Sequence, residues 1–228
     1  RTGNLDSKFG FPLPTGQADD ALARARASAA VDLVGLHMHI GSQVFSVENF
    51  LEGLRAVAPF VVAADLPELV VGGGLGVAYV EGESAPTITE WATAVVQECR
   101  AAGITAGIGV EPGRAVIGAA AVTLYTVGTV KFIPGVRTYV SVDGGMSDNP
   151  RPVLYGSGYE TFLPRAATSR REMPIRLVGK HCESGDLLVR EGRVPADLAV
   201  GDVIATPVTG AYGHSMGSNY NKVLRPAV

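Results

Sequence analysis

Over the first half of the chain, short apolar runs alternate with helical segments, and each run ends in polar or glycine-rich sequence. Gln17–Ala30 reads as an alanine-rich helix, with Asp19 and Asp20 in the first turn, where they suit the helix dipole. Val31–His39 reads as a buried strand, Ser46–Ala64 as a helix and Leu69–Gly74 as a second short strand. Thr87-Ile-Thr-Glu90 has the spacing of a capping box and opens a helix that closes at Gly103. Ile104–Glu111 reads as a third strand. This order implies parallel βαβ units. The strand ends carry His37-Met-His-Ile-Gly-Ser-Gln43, Gly72-Gly-Gly-Leu-Gly76 and Glu111-Pro-Gly-Arg114. In a βα barrel the C-terminal ends of several strands build one active site, and the chain fits that layout.

After Arg114 the texture changes. Val122–Val130, Arg137–Val142 and Arg176–Gly179 are short and β-branched, with turn clusters Phe132-Ile-Pro-Gly135 and Asp143-Gly-Gly145 between them. Helix signals almost vanish. The expected architecture is α/β plus β: a partial (βα)8, TIM-like barrel over residues 1–115, then a mostly antiparallel β domain over 116–228, incomplete at its C-terminus. The chain starts at Arg1 rather than Met and stops at Arg225-Pro-Ala-Val228 without a polar tail. Both ends read as interrupted, so a fragment of a longer protein is expected. Such a piece leaves strand edges and apolar faces uncovered, and by itself it is expected to fold poorly.

Composition narrows the function. A net charge of −3, with no run of Lys or Arg, argues against a nucleic-acid partner. The longest apolar stretches, such as Ala56–Ala64, are too short to span a bilayer. Cys99 and Cys182 have no paired spacing, which argues against a disulfide scaffold or a zinc site and favours a reducing cytoplasm.

Two later stretches are poor core material because their polar, aromatic and small residues follow no helical or strand period. They are Val178-Gly-Lys-His-Cys-Glu-Ser-Gly-Asp186 and Gly210-Ala-Tyr-Gly-His-Ser-Met-Gly-Ser-Asn-Tyr-Asn221. Both read as ligand-holding loops. The run Gly72–Gly76 is either a tight turn or a place where backbone N–H groups approach an anion; Val77 denies it the dinucleotide fingerprint. Glu111 and Arg114 form either a surface ion pair or a working set, the acid holding a proton on a ring nitrogen and the guanidinium meeting a phosphate or carboxylate. His37 and His39 share one strand face, but no acid or thiol stands at a matching ligand spacing, so no metal is expected. A flat imidazole can pack on an aromatic cofactor instead, with Gly41-Ser42 near a phosphate. Arg151 and Tyr155 either anchor a loop or bind a carboxylate-bearing substrate.

The series HxHIGSQ, GGGLGVxY, EPGR, VDGGMSDNxRPxLYG, HCESGD and GAYxxSMxSNYN, in this order, resembles the fold-type III pyridoxal-phosphate decarboxylases. The likeness runs from Asp6-Ser-Lys-Phe-Gly10 to Ser218-Asn-Tyr-Asn221 and is strongest to members acting on meso-2,6-diaminopimelate. It implies an alanine-racemase-type barrel, pyridoxal 5'-phosphate as cofactor, and release of CO2 from that substrate to give L-lysine. By the resemblance, His39 would stack on the cofactor ring. Ser42, Gly72, Gly73, Gly74, Pro112, Gly113 and Arg114 would hold the phosphate end and the ring, and Glu111 would keep the ring nitrogen protonated. Arg114, Arg151 and Tyr155 would bind substrate, and Tyr212 would touch substrate and cofactor. Cys182 would be the proton donor and Glu183 would read the substrate's distal end, both reaching into a partner subunit's site in a homodimer.

The chain departs from the family in one large respect. The family attaches its cofactor through a lysine on the first barrel strand, which would precede Arg1, and Lys8, Lys131, Lys180 and Lys222 do not stand there. The piece alone is therefore expected to be inactive. His214 and Gly217 are smaller departures near Tyr212. The rival readings are a sibling decarboxylase acting on ornithine, arginine or carboxynorspermidine, and a non-catalytic pseudoenzyme if the chain truly starts at Arg1.

Overall fold

The computed structural model describes residues 5–226; residues 1–4 and 227–228, which include the ends read above as interrupted, lie outside them. The chain divides into two units, Arg1–Val77 with Ser84–Val116, and Ala78–Glu83 with Ile117–Val228.

The first unit runs α1 (Gln17–Ala27), β1 (Gly35–His37), α2 (Val47–Ala64), β2 (Glu68–Val70), α3 (Ile88–Ala101) and β3 (Gly107–Gly109), and the short helix α4 (Gly113–Ile117) follows. The three strands are parallel in the order β1-β2-β3, with Leu36, Leu69 and Ile108 in register. Helix α2 buries Phe50, Leu54, Ala58 and Val61, and α3 buries Trp91, Val95 and Cys99; both sets recur at helical spacing and form one stripe. The stripes meet where the Phe50 and Trp91 rings stand edge to face, 5.4 Å apart. On the outer side Arg55 of α2 bridges Glu48 at 2.5 Å and Glu98 of α3 at 2.9 and 2.8 Å. Thr87 caps α3 as the sequence predicts: its hydroxyl accepts from the Glu90 N–H and the Glu90 carboxylate accepts from the Thr87 N–H.

The strands are shorter than the apolar runs that predict them. Only Gly35–His37 of the Val31–His39 run joins the ladder, and Val31 and Val34 are exposed rather than buried. Among the described residues β1 has a single neighbour, β2, and upstream of Gly35 the pairing ends with the bond from the Glu68 N–H to the Val34 carbonyl at 3.1 Å. The helix beginning at Gln17 stops at Ala27 instead of Ala30, because Ser28 takes extended backbone and its N–H closes on the Ala25 carbonyl.

The second unit is a five-stranded sheet in the order β7-β6-β5-β4-β8, antiparallel except for the pair β5–β6. Its strands are β4 (Val122–Ile133), β5 (Arg137–Val142), β6 (Met173–Val178), β7 (Leu187–Val194) and β8 (Val203–Pro207), with short helices α5 (Arg151–Tyr155) and α6 (Gly213–Met216) in its loops. β5 alternates strictly, burying Thr138, Val140 and Val142. The core adds Tyr125, Val127, Ile175, Leu177, Leu188, Val189 and Ile204. Residues 78–83 belong to this unit because Tyr79, itself buried, sets its ring edge-on to that of Tyr159 at 5.2 Å. The architecture is a partial parallel α/β barrel and a mostly antiparallel β sheet. No helix among the described residues is long and apolar enough to cross a membrane.

Arg165 clamps one end of the second sheet. Its guanidinium donates to both Asp202 oxygens at 2.8 Å and to Asp197 at 2.9 Å. These bonds, with a backbone bond from Ala199, hold the Asp202 carboxyl down at about 2. A carboxyl depressed on folding stabilises the fold above its unfolded pKa, and that contribution is lost as pH falls through the folded value. Acid unfolding is therefore expected to draw on this clamp between about pH 4 and pH 2. In Arg165→Ala the dependence of stability on pH should flatten across that window, measured by denaturant titration at each pH. An unchanged slope would remove the clamp from the acid response.

Candidate functional site

The three strand ends of the first unit bring most of the expected cofactor residues together. His37 closes β1, and His39 follows two residues on with its ring parallel to that of His37, tilted by 8° at 6.4 Å between centroids. Glu111, just past β3, places Oε2 3.1 Å from His37 Nε2. It therefore pairs with His37 across the strand ends. Arg114, in the first turn of α4, sends Nη2 to Ser42 Oγ at 3.3 Å, so the guanidinium and the hydroxyl form one cluster of donors. Pro112 and Gly113 make the turn between Glu111 and Arg114, closed by a bond from Gly113 N–H to the Glu111 carbonyl at 2.8 Å.

Gly72, Gly73 and Gly74 are what let these ends converge. A Cβ at Gly72 would lie 2.5 Å from the Met38 carbonyl oxygen, at Gly73 2.0 Å from that of Glu111, and at Gly74 2.0 Å from that of Gly41. No side chain fits at any of the three, and Gly72 and Gly74 also hold φ of 75° and 94°. Gly73 N–H points to His39 Nδ1 at 3.4 Å, which ties the run to the imidazole. The glycines thus bind strand end to strand end, a demand that the sequence reading, which weighed only a turn or an anion site, does not contain.

The second unit holds the remaining candidates on three loops. Cys182 and Glu183 are both exposed in the loop between β6 and β7. The buried Asp186 carboxylate anchors that loop, accepting from the His181 N–H at 2.8 Å and from the Met146 N–H at 2.6 Å. His181 Nε2 lies 2.9 Å from Ser147 Oγ, and the Ser147 carbonyl accepts from Ser218 N–H at 2.8 Å. Loops 143–149, 179–186 and 210–221 are therefore stitched to one another. Tyr212 stands in the third loop in left-handed backbone, φ 66°, about half exposed. Val208, Asn221 and Lys222 share that region of backbone space at 62°, 53° and 59°. Such conformations are costly for non-glycine residues and gather at ligand sites.

Arg151 and Tyr155 share helix α5 but not one environment. Tyr155 is 70% exposed, whereas Arg151 is 4% exposed. The Arg151 guanidinium lies 4.2 Å from the centre of the Tyr79 ring and donates from Nη1 to the Tyr159 hydroxyl at 3.0 Å. Cation–π contact and a hydrogen bond together satisfy a buried cation. Burial pushes the Tyr159 phenol up, against the opposing pull of Arg151. Beside this cage Asp148 accepts from the Tyr125 hydroxyl at 2.9 Å and from the Gly145 N–H at 2.7 Å, and burial raises its carboxyl above the usual range. Tyr79, Asp148 and Tyr220, whose hydroxyl reaches Glu183, lie inside the quoted motifs without an assigned role, and Tyr159 lies outside them.

The donor set of the first unit suits a flat anionic cofactor: Ser42 and Arg114 for a phosphate, the His39 imidazole for a ring face, and Glu111 for a ring nitrogen. Residues 1–118 match the family described as pyridoxal-dependent decarboxylase, pyridoxal binding domain. Over its whole length the chain is 44% identical to a diaminopimelate decarboxylase of Mycobacterium tuberculosis, covering 55% of that protein, and 40% identical to that of Bacillus subtilis, covering 54%. Among solved structures, diaminopimelate decarboxylase of M. jannaschii in complex with L-lysine superposes on 97% of the chain with a TM-score of 0.88 at 32% identity, and the chain covers 52% of it. The Helicobacter pylori enzyme, also complexed with L-lysine, gives 0.83 over 96% of the chain at 32% identity, with 54% of that chain covered. The chain spans about half the length of the curated relatives it matches. With this match across the strand ends that carry His39, Ser42, Glu111 and Arg114, the chain belongs to the pyridoxal-dependent decarboxylases.

Proposed function

We propose that this chain serves a pyridoxal-phosphate carboxy-lyase that converts meso-2,6-diaminopimelate to L-lysine and CO2, the last step of bacterial lysine synthesis. The observation that carries the reading is identity of 40–44% to diaminopimelate decarboxylases over the whole chain. Every motif of the site lies within that match.

Bound pyridoxal phosphate supplies the electron sink needed when a carbon–carboxylate bond breaks. The chain's own residues do the rest. Ser42, Arg114 and the Gly72–Gly74 run would hold the phosphate end and the ring, with Pro112 and Gly113 setting the turn. His39 would pack on the cofactor ring and Glu111 would keep its nitrogen protonated. Arg114, Arg151 and Tyr155 would each bind substrate. The cage holds the Arg151 guanidinium in place through Tyr79 and Tyr159. Tyr212 touches substrate and cofactor. Cys182, exposed and carrying a thiol, returns a proton to the carbon that has lost its carboxylate. Glu183 receives the distal ammonium. In the homodimer Cys182 and Glu183 act in the partner's site. A reducing cytoplasm keeps the thiol ready.

The test is substrate choice by the holoenzyme, measured as CO2 released from meso-diaminopimelate, L-ornithine and L-arginine. Turnover of the first at about 10²-fold or more above the others is expected, since a site built to bind a distal carboxylate as well as an ammonium rejects substrates lacking the carboxylate. Equal or faster turnover of ornithine would overturn the assignment.

A further inference from the structure

Glu183 is exposed, and an exposed glutamate explores several rotamers unless something holds it. Here something does. The Tyr220 hydroxyl donates to Glu183 Oε1 at 2.6 Å, within the range of charge-assisted O–H···O⁻ bonds. The bond occupies one carboxylate oxygen and leaves Oε2 for a ligand. Tyr220 is itself fixed. Its ring stands at 82° to that of His181, 5.4 Å away, and His181 is buried and bound to the buried Ser147. The backbone on either side is held too: Ser218 N–H reaches the Ser147 carbonyl at 2.8 Å, and Asn221 turns the chain through φ 53°. The phenol is thus braced by His181 and, through Ser218, by Ser147, and it spends its hydroxyl on Glu183 in the same loop as His181. In accord with this bond, the Tyr220 phenol is pushed above its ordinary value, first by the hydrogen bond to Glu183.

We infer that Tyr220 is a positioning residue that fixes the Glu183 carboxylate to receive the substrate's distal ammonium, an inference that rests on the function proposed above. Tyr220 acts through Glu183 and does not touch the reacting carbon. Its loss should therefore weaken recognition of the distal end and leave the bond-breaking step alone.

The experiment compares Tyr220→Phe, Glu183→Gln and the double variant in the holoenzyme with meso-diaminopimelate. Phenylalanine keeps the ring against His181 and removes only the hydroxyl. Tyr220→Phe is expected to raise KM about tenfold or more, the size of one lost hydrogen bond to a charged group. Its kcat should stay within about twofold, because transition-state contacts at the reacting carbon are untouched. In the Glu183→Gln background the same change should add little, because coupled residues are not additive. An unchanged KM in Tyr220→Phe, a matching fall in kcat, or full additivity with Glu183→Gln would overturn the inference and leave the proposed function standing. A wild-type holoenzyme that fails to decarboxylate diaminopimelate would overturn both, and that outcome is read before any variant is made.

Discussion

Gly73→Ala is expected to destabilise the first unit by about 3 kcal/mol or more, the upper range for overpacking a tight site. The added methyl would lie 2.0 Å from the Glu111 carbonyl oxygen, far inside any van der Waals contact. That oxygen belongs to backbone, which cannot swing aside as a side chain can. Either β2 or β3 must shift at its C-terminal end, and either shift moves Glu111 or the Gly72–Gly74 run. The first unit offers a clean reporter, because Trp91 is the chain's one tryptophan and is fully buried in its core. Urea unfolding followed by its fluorescence should report the loss. Gly107→Ala is the control: a Cβ there meets only the Pro67 carbonyl oxygen at an ordinary 3.6 Å. It should change stability by less than about 1 kcal/mol. Equal effects at the two positions would mean that the close approach at Gly73 is not what fixes the strand ends.

Glu111→Gln should lower kcat of the holoenzyme about a hundredfold or more, the scale of removing one well-placed proton-holding group. Glutamine keeps the shape beside His37 and removes the charge proposed to hold a proton on the cofactor's ring nitrogen. KM should change less than kcat, because the substrate's carboxylate and ammonium meet other residues. Cys182→Ala should be similarly impaired, and the pair tests the homodimer. If Cys182 works in the partner's site, mixing the two inactive variants after subunit exchange rebuilds one sound site in each mixed dimer. Random pairing of two variants then restores about a quarter of wild-type activity. No recovery from mixtures shown to have exchanged would place Cys182 and Glu111 of one chain in the same site.

Much of the first unit is legible in sequence, because its signals are local. Thr87 and Glu90 stand three residues apart and do what that spacing demands. The helix over Ser46–Ala64 is readable from its apolar stripe alone, and Ser46 stands at its N-cap position without a side-chain bond to the helix. The strand lengths are not legible, since a ladder needs a neighbour and the apolar runs continue past theirs. In the second unit β7 is hidden because Arg190, Glu191 and Arg193 break its alternation, and β8 because five residues beside a proline carry little pattern. The motif loops are visible as chemistry without period. Their partnerships are not, because Tyr79 lies 72 positions from Arg151 in the chain and Tyr220 lies 37 from Glu183. Nothing in a linear pattern marks the aromatic ring that will cage a given cation. The membership of residues 78–83 in the second unit is invisible for the same reason.

The bonds joining loops 143–149, 179–186 and 210–221 bear on how such a site changes its diet. Glu183 is shaped by Tyr220, Tyr220 by His181, and His181 by Ser147, so three separate stretches of gene encode one acceptor. Grafting residues 179–186 from a relative with another appetite would deliver a new side chain into a setting still tailored to the old one. A lineage drifting toward a different substrate must revise several stretches in concert or pass through poor intermediates. Laboratory evolution of this site would do better to randomise Ser147, Glu183 and Tyr220 together than to walk through them one at a time.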